Sequence, residues 1–145
     1  MITIPKRPPG HHPGTVSFAS TLYLSPILDL LLAQVPPSLQ PEIRLGLQEA
    51  LVNAVKHGNQ LDPSKTIVVR FSSTREVYEW AIADQGAVVK PTGSCDRDRA
   101  LPDDTAECGR GMFILHQIFD RVEWDSQRRE LQLCKQVKST SRWMA

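Results

Sequence analysis

The chain reads as an α+β two-layer sandwich, a mostly antiparallel sheet with helices on one face. Three observations carry that reading. Residues 66–73 and 77–84 each alternate apolar and polar side chains, with only a few polar residues between them, which is the pattern of a β-hairpin. Residues 121–124 and 130–137 form a second such pair around Ser126-Gln127-Arg128. The helical segments cluster instead of alternating with strands. The order is β-α-α-β-β-loop-α-β-β, without the regular alternation of a doubly wound nucleotide fold.

In order, residues 1–14 are rich in Pro, Gly and His and read as a flexible N-terminal tail. The neighbouring His11 and His12 are expected to be incidental there. Residues 15–24 mix β-branched, aromatic and small polar side chains, as a first strand does. Ser25-Pro26 opens a short helix made apolar by Ile27, Leu28, Leu30, Leu31 and Leu32, with Ser25 as its expected cap.

Residues 42–59 read as a second helix, around which the rest is organised. Ser38 is its expected cap, Pro41 falls in its first turn, and Gly58-Asn59 supplies a left-handed stop. Ile43, Leu47, Ala50, Leu51 and Ala54 form an apolar stripe. At about 100° per residue, Glu49, Asn53 and Lys56 fall together, roughly opposite that stripe. Leu45 and Val52 lie elsewhere, which predicts cover on more than one side.

After the first hairpin, residues 85–108 lose all periodicity and collect glycine, proline and charge, the character of a functional loop. Gly109-Arg110-Gly111 then opens a helix over 112–119. Residues 138–145 read as a C-terminal tail. Domain boundaries follow as 1–14, 15–137 and 138–145.

Composition narrows the function class. The 145 residues are 41% hydrophobic and 23% charged, with a formal net charge of +1, so nothing drives the chain toward nucleic acid or a membrane surface. No apolar run reaches membrane-spanning length, and the first residues lack the apolar core of a signal peptide, so the expected compartment is the cytoplasm. Cys95, Cys108 and Cys134 are odd in number and lack Cys-x-x-Cys spacing; free thiols are expected.

Three short motifs can carry chemistry. Glu49 and Asn53 stand one turn apart. Such a polar face is ordinarily solvated, yet asparagine is a poor mid-helix residue, and the helix ends in Lys-His-Gly-Asn, where polar groups can converge. A carboxylate can accept a proton, and a carboxamide oxygen can ligate a hard cation such as Mg²⁺. Asp84, ending a strand before Gln85-Gly86, can hydrogen-bond a ligand while the glycine lets the backbone close on it, although Asp-x-Gly is also a common turn. Gly109-Arg110-Gly111 before a helix suits phosphate, although no Gly-Lys-Ser/Thr follows as in a P-loop.

In combination, the run Glu-Ala-Leu-Val-Asn-Ala-Val-Lys-His-Gly-Asn from Glu49 to Asn59, the Asp-x-Gly at Asp84 and the Gly-x-Gly at Gly109 resemble the GHKL (Bergerat-fold) ATP-binding superfamily, shared by gyrase, a heat-shock chaperone and histidine kinases. The chain looks most like the anti-sigma-factor serine kinases. The resemblance implies a histidine-kinase-type ATP-binding fold with ATP and Mg²⁺ as cofactors. It implies Asn53 as the Mg²⁺ ligand, Glu49 as the catalytic base, and Asp84 as acceptor of the adenine amino group over Gly86. It also implies an ATP lid at 87–108, and phosphate contacts from Gly109, Arg110 and Gly111. The implied partners are a sigma factor and an anti-sigma-factor antagonist phosphorylated on serine, with the kinase a homodimer that contacts neither nucleic acid nor membrane.

One position departs from the family pattern. The glycine box usually continues to a second glycine, where this chain has Val88, a β-branched residue that resists positive φ. Two other readings therefore stand beside the kinase. One is a non-catalytic ATP-binding-fold module that regulates by sequestering a protein. The other, weaker, is the catalytic domain of a histidine kinase, for which a phosphoacceptor helix pair is expected ahead of the domain.

Overall fold

A computed structural model describes residues 13–86 and 107–137, with the backbone alone at 107–110. Five strands form one antiparallel sheet in the order β1-β2-β3-β5-β4. They are β1 (Gly14–Ala19), β2 (Thr66–Ser73), β3 (Val77–Ala83), β4 (Arg121–Asp125) and β5 (Glu130–Gln136). Three helices, α1 (Ser25–Leu31), α2 (Gln40–Asn53) and α3 (Glu107–Ile118), complete the α+β sandwich in the expected chain order. The expected tails and domain limits, the lid with Val88, and Cys95 fall wholly or largely outside the described residues.

Alternation in the strands produces the layers. Val16, Val69, Ile82 and Leu131 are register partners across four strands, and all are buried. The register pair Trp80 and Leu133, on the same face, is buried as well. Trp80 stacks on Tyr78 at 6.1 Å and meets Phe119 edge-on at 5.7 Å, joining sheet to helix layer. Ile43, Leu47 and Leu51 of α2 are fully buried against this face, as their spacing predicts. Val52 packs against the core, but Leu45 is exposed, so cover on the second side is partial.

Gly46 explains how α3 approaches so closely. A Cβ there would lie 2.5 Å from the Phe119 ring, so a residue that weakens a helix interior by about 1 kcal/mol is what lets that ring in. At the end of α3, Lys135 of β5 donates to the Ile118 carbonyl at 2.8 Å and pairs with Glu42 of α2 at 3.0 Å. A cation thus sits on a carbonyl at the end of the helix, where carbonyls lack intrahelical partners.

Several expected boundaries are corrected. β1 ends at Ala19, whose partner Thr66 is the first residue of β2, so the chain beyond has no strand to pair with. Neither serine caps its helix. The residue before α1 is Leu24, and Ser25 Oγ instead accepts from Arg44 of α2 at 3.2 Å. The residue before α2 is Leu39, and the Gln40 side chain anchors that start by donating to the Val35 carbonyl at 2.9 Å. α3 begins at Glu107, so Gly109-Arg110-Gly111 lies inside its first turns and not ahead of them.

The largest correction is at the end of α2. After Asn53 the helix widens into a π turn, Ala54–Gly58, closed by the Asn59 N–H on the Ala54 carbonyl at 2.8 Å. The left-handed residues are Gln60 and Leu61, with φ of 53° and 60°, not Gly58-Asn59. In a π turn each residue advances by less than 100°, so Lys56 lags behind the face shared by Glu49 and Asn53. Such turns are frequent at functional sites.

Candidate functional site

The π turn brings Gly58 onto Asp84. A Cβ on Gly58 would run into the Asp84 Oδ2 and Cγ, and a Cβ on Gly86 would overlap the Gly58 carbonyl oxygen. Gly58, Asp84 and Gly86 therefore interlock, and the carboxylate rests against bare backbone on the Gly58 side. Asp84 Oδ1 accepts the Gly86 N–H at 2.9 Å, a turn bond that ties this oxygen to the backbone. The Asp84 side chain is 12% exposed.

Asn59 fastens this arrangement from behind. It is fully buried; its Oδ1 accepts the Gln85 N–H at 2.7 Å and its Nδ2 donates to the Thr66 carbonyl at 3.0 Å. Gln85 returns the contact, its Oε1 accepting the Thr66 N–H at 2.8 Å. The end of the π turn, the start of β2 and the residue after Asp84 are thereby tied into one network whose polar atoms are paired.

Around the helix from Gly58, Asn53 meets α3. A Cβ on Gly111 would come within 2.8 Å of the Asn53 carboxamide nitrogen, so glycine is what lets α3 close on that side chain. Among the described residues the Asn53 carboxamide has no hydrogen-bond partner. Glu49 is half-buried one turn earlier on α2. Of the expected site residues, Asp84 and Gly86 are thus in contact through Gly58, and Asn53 and Gly111 are in contact across two helices. Gly109 and Arg110 lie in the first turn of α3, and their side-chain environment is outside the described residues.

The Asn53 oxygen suits Mg²⁺, which keeps several waters and binds through one or two protein oxygens plus substrate phosphates. Among the described residues no group of three or more His, Cys, Asp or Glu side chains is placed to hold a metal by itself. Gly111 brings the first turns of α3 against Asn53, and N–H groups at the start of a helix bind phosphate.

Three residues at this site were missed by sequence reasoning. Gly58 and Asn59 read in the sequence as a helix stop, with no individual role in the site. The signal was there in principle, since a glycine followed by asparagine need not be a surface cap when buried strands flank it. Arg129 gave no signal, because a basic residue at a hairpin turn ordinarily lies in solvent. Here its Nη2 lies 3.4 Å from Asp84 Oδ1.

Elsewhere, a cavity of about 420 Å³ opens on the sheet face away from the helices, beside Arg70, Glu79, Arg121 and Arg128. It contains none of the residues named for the site. On that face Arg70 pairs with the buried Glu130 at 2.6 Å. Cys134 is a buried free thiol, and burial together with the Glu79 charge pushes its pKa up, which leaves it a poor nucleophile.

A five-stranded antiparallel sheet under three helices, with Asp-x-Gly at a strand end facing a helix that carries Asn, defines an ATP-binding domain of the GHKL type. The family model described as histidine kinase-like ATPase domain matches residues 27–135, and the chain belongs to that family. Membership implies the use of ATP. Among curated proteins, none matches the chain. Among the described residues, no helix is long and apolar enough to cross a membrane.

Proposed function

We propose that the chain is an ATP-dependent protein-serine kinase and anti-sigma factor, phosphorylating an antagonist protein in a partner-switching pathway. The observation that carries the reading is the pair Glu49 and Asn53, one turn apart on α2, with Gly111 of α3 packed on Asn53. In this reading Asp84 accepts the adenine amino group over Gly86, and the start of α3, with Gly109, Arg110 and Gly111, receives the phosphates. Asn53 holds Mg²⁺, which supplies charge neutralisation on the phosphates when bound. Glu49 takes the proton of the antagonist serine as its oxygen attacks the γ-phosphorus and ADP leaves. The kinase domain spans 15–137 and works in the cytoplasm as a homodimer that sequesters a sigma factor, with no direct contact to nucleic acid or membrane.

A second reading, a nucleotide-fold module that acts only by sequestration, is favoured by Val88 in place of the second box glycine. Phosphoryl transfer separates the two. Wild type and Glu49→Gln are incubated with Mg²⁺-ATP and candidate antagonists, and serine phosphate is measured. Glu49→Gln keeps size and helix propensity but loses the carboxylate base. Transfer is expected to fall by about two to four orders of magnitude with ATP binding nearly intact. Equal rates would remove Glu49 from catalysis, and no transfer by wild type to a bound antagonist would favour the second reading.

A further inference from the structure

Arg129 closes the β4–β5 hairpin and carries two local costs. Its φ is 54°, in the left-handed region that a non-glycine residue seldom adopts. Its Nε is buried without a hydrogen-bond partner among the described residues. Unfavourable features that coincide at one residue point to function when the residue is aimed at a site. Arg129 is so aimed. Its side chain is 28% exposed, and Nη2 reaches Asp84 Oδ1 across the sheet, one position beyond the Ala83–Glu130 register pair.

We propose that Arg129 is a positioning residue that sets base selection in the nucleotide site. It does so by holding Asp84 so that only the Oδ2 edge of the carboxylate is offered to a base. The proposal rests on the reading of Asp84 as the adenine acceptor. The two carboxylate oxygens have unlike surroundings. Oδ1 receives two donors, the Gly86 N–H at 2.9 Å and Arg129 Nη2 at 3.4 Å. Oδ2 lies against Gly58, where there is no side chain, and no donor reaches it among the described residues. An oxygen with both lone pairs engaged accepts poorly from a further donor, whereas Oδ2 keeps its capacity.

A single, oriented acceptor selects a base that donates from an exocyclic amino group, as adenine does. It offers no match to a carbonyl oxygen at the same ring position, as in hypoxanthine. Without Arg129 the carboxylate keeps, among the described residues, only its turn bond to Gly86, so its orientation is held less firmly and the preference weakens.

The test compares ATP with inosine triphosphate in wild type, Arg129→Gly and Arg129→Gln, by equilibrium titration with thermal unfolding run alongside. Glycine relieves the positive φ, so Arg129→Gly is expected to keep or raise the melting temperature. A merely structural arginine would lower it and leave base preference untouched. The expected result is ATP affinity about tenfold weaker in both variants, inosine triphosphate affinity unchanged, and the ratio of the two reduced accordingly. ATP binding with an unchanged ratio in the variants would overturn the positioning role alone. Tighter ATP binding in the variants would overturn it too, showing that the arginine competes for the carboxylate. Wild type that binds no ATP would overturn both this proposal and the reading beneath it.

Discussion

Gly58→Ala sets two physical effects against each other with opposite signs. Helix propensity alone favours alanine by about 0.5–1 kcal/mol. The site opposes it, because the new methyl would overlap Asp84 Oδ2 and Cγ and sit 2.9 Å from Asp84 Cβ, where apolar carbons rest at about 3.5–4.0 Å. Both partners are on backbone held by Asn59, so relief requires either the Asp84 side chain or the π turn to move. Overpacking of this kind costs about 1–3 kcal/mol. If the carboxylate swings out it also gives up the Gly86 N–H at 2.9 Å, a bond to a charged acceptor worth about 1.5–3 kcal/mol. The expected outcome is a net destabilisation of about 1–3 kcal/mol, read from urea unfolding with an unchanged m-value. ATP affinity is expected to fall at least tenfold by calorimetric titration. A Gly58→Ala protein as stable as wild type or more so, with ATP affinity unchanged, would refute the interlocking of Gly58 with Asp84.

Asn59→Ala removes both bonds of a fully buried carboxamide and leaves the Gln85 N–H and the Thr66 carbonyl to find other partners; a loss of about 2–4 kcal/mol in urea unfolding is expected. Gly46→Ala is expected to lower stability by about 1–3 kcal/mol, because its methyl meets the Phe119 ring at 2.5 Å; a gain near 1 kcal/mol would show that the ring moves freely.

The layer architecture was legible because it rests on period. The alternation in β2 and β3 and the stripe on α2 are set by which side chains leave water, and the buried rows through Val69, Ile82 and Leu131 follow it directly. Helix ends were less legible, because the expected caps answer to tertiary partners. Ser25 is drawn to Arg44, and the start of α2 is held by Gln40 reaching back to the Val35 carbonyl in the connection from α1. At the site, Asn53, Asp84 and Gly86 were visible as residue types with chemistry. What joins them was not. The π turn follows from no local propensity, and it alone moves Gly58 from a helix stop to the wall of a carboxylate. Arg129 lies 45 residues from Asp84 in the chain, and only the pairing of β3 with β5 brings them together.

The most direct test of the account is an equilibrium titration of Mg²⁺-ATP against wild type and Asp84→Asn. The substitution replaces an acceptor-only carboxylate with a group that can turn N–H toward the adenine amino group, leaving that contact mispaired. Wild type is expected to bind, and Asp84→Asn to bind at least tenfold more weakly, a difference of about 1–3 kcal/mol. Superimposable curves for the two proteins, or no binding by either, would contradict the assignment of this site to ATP.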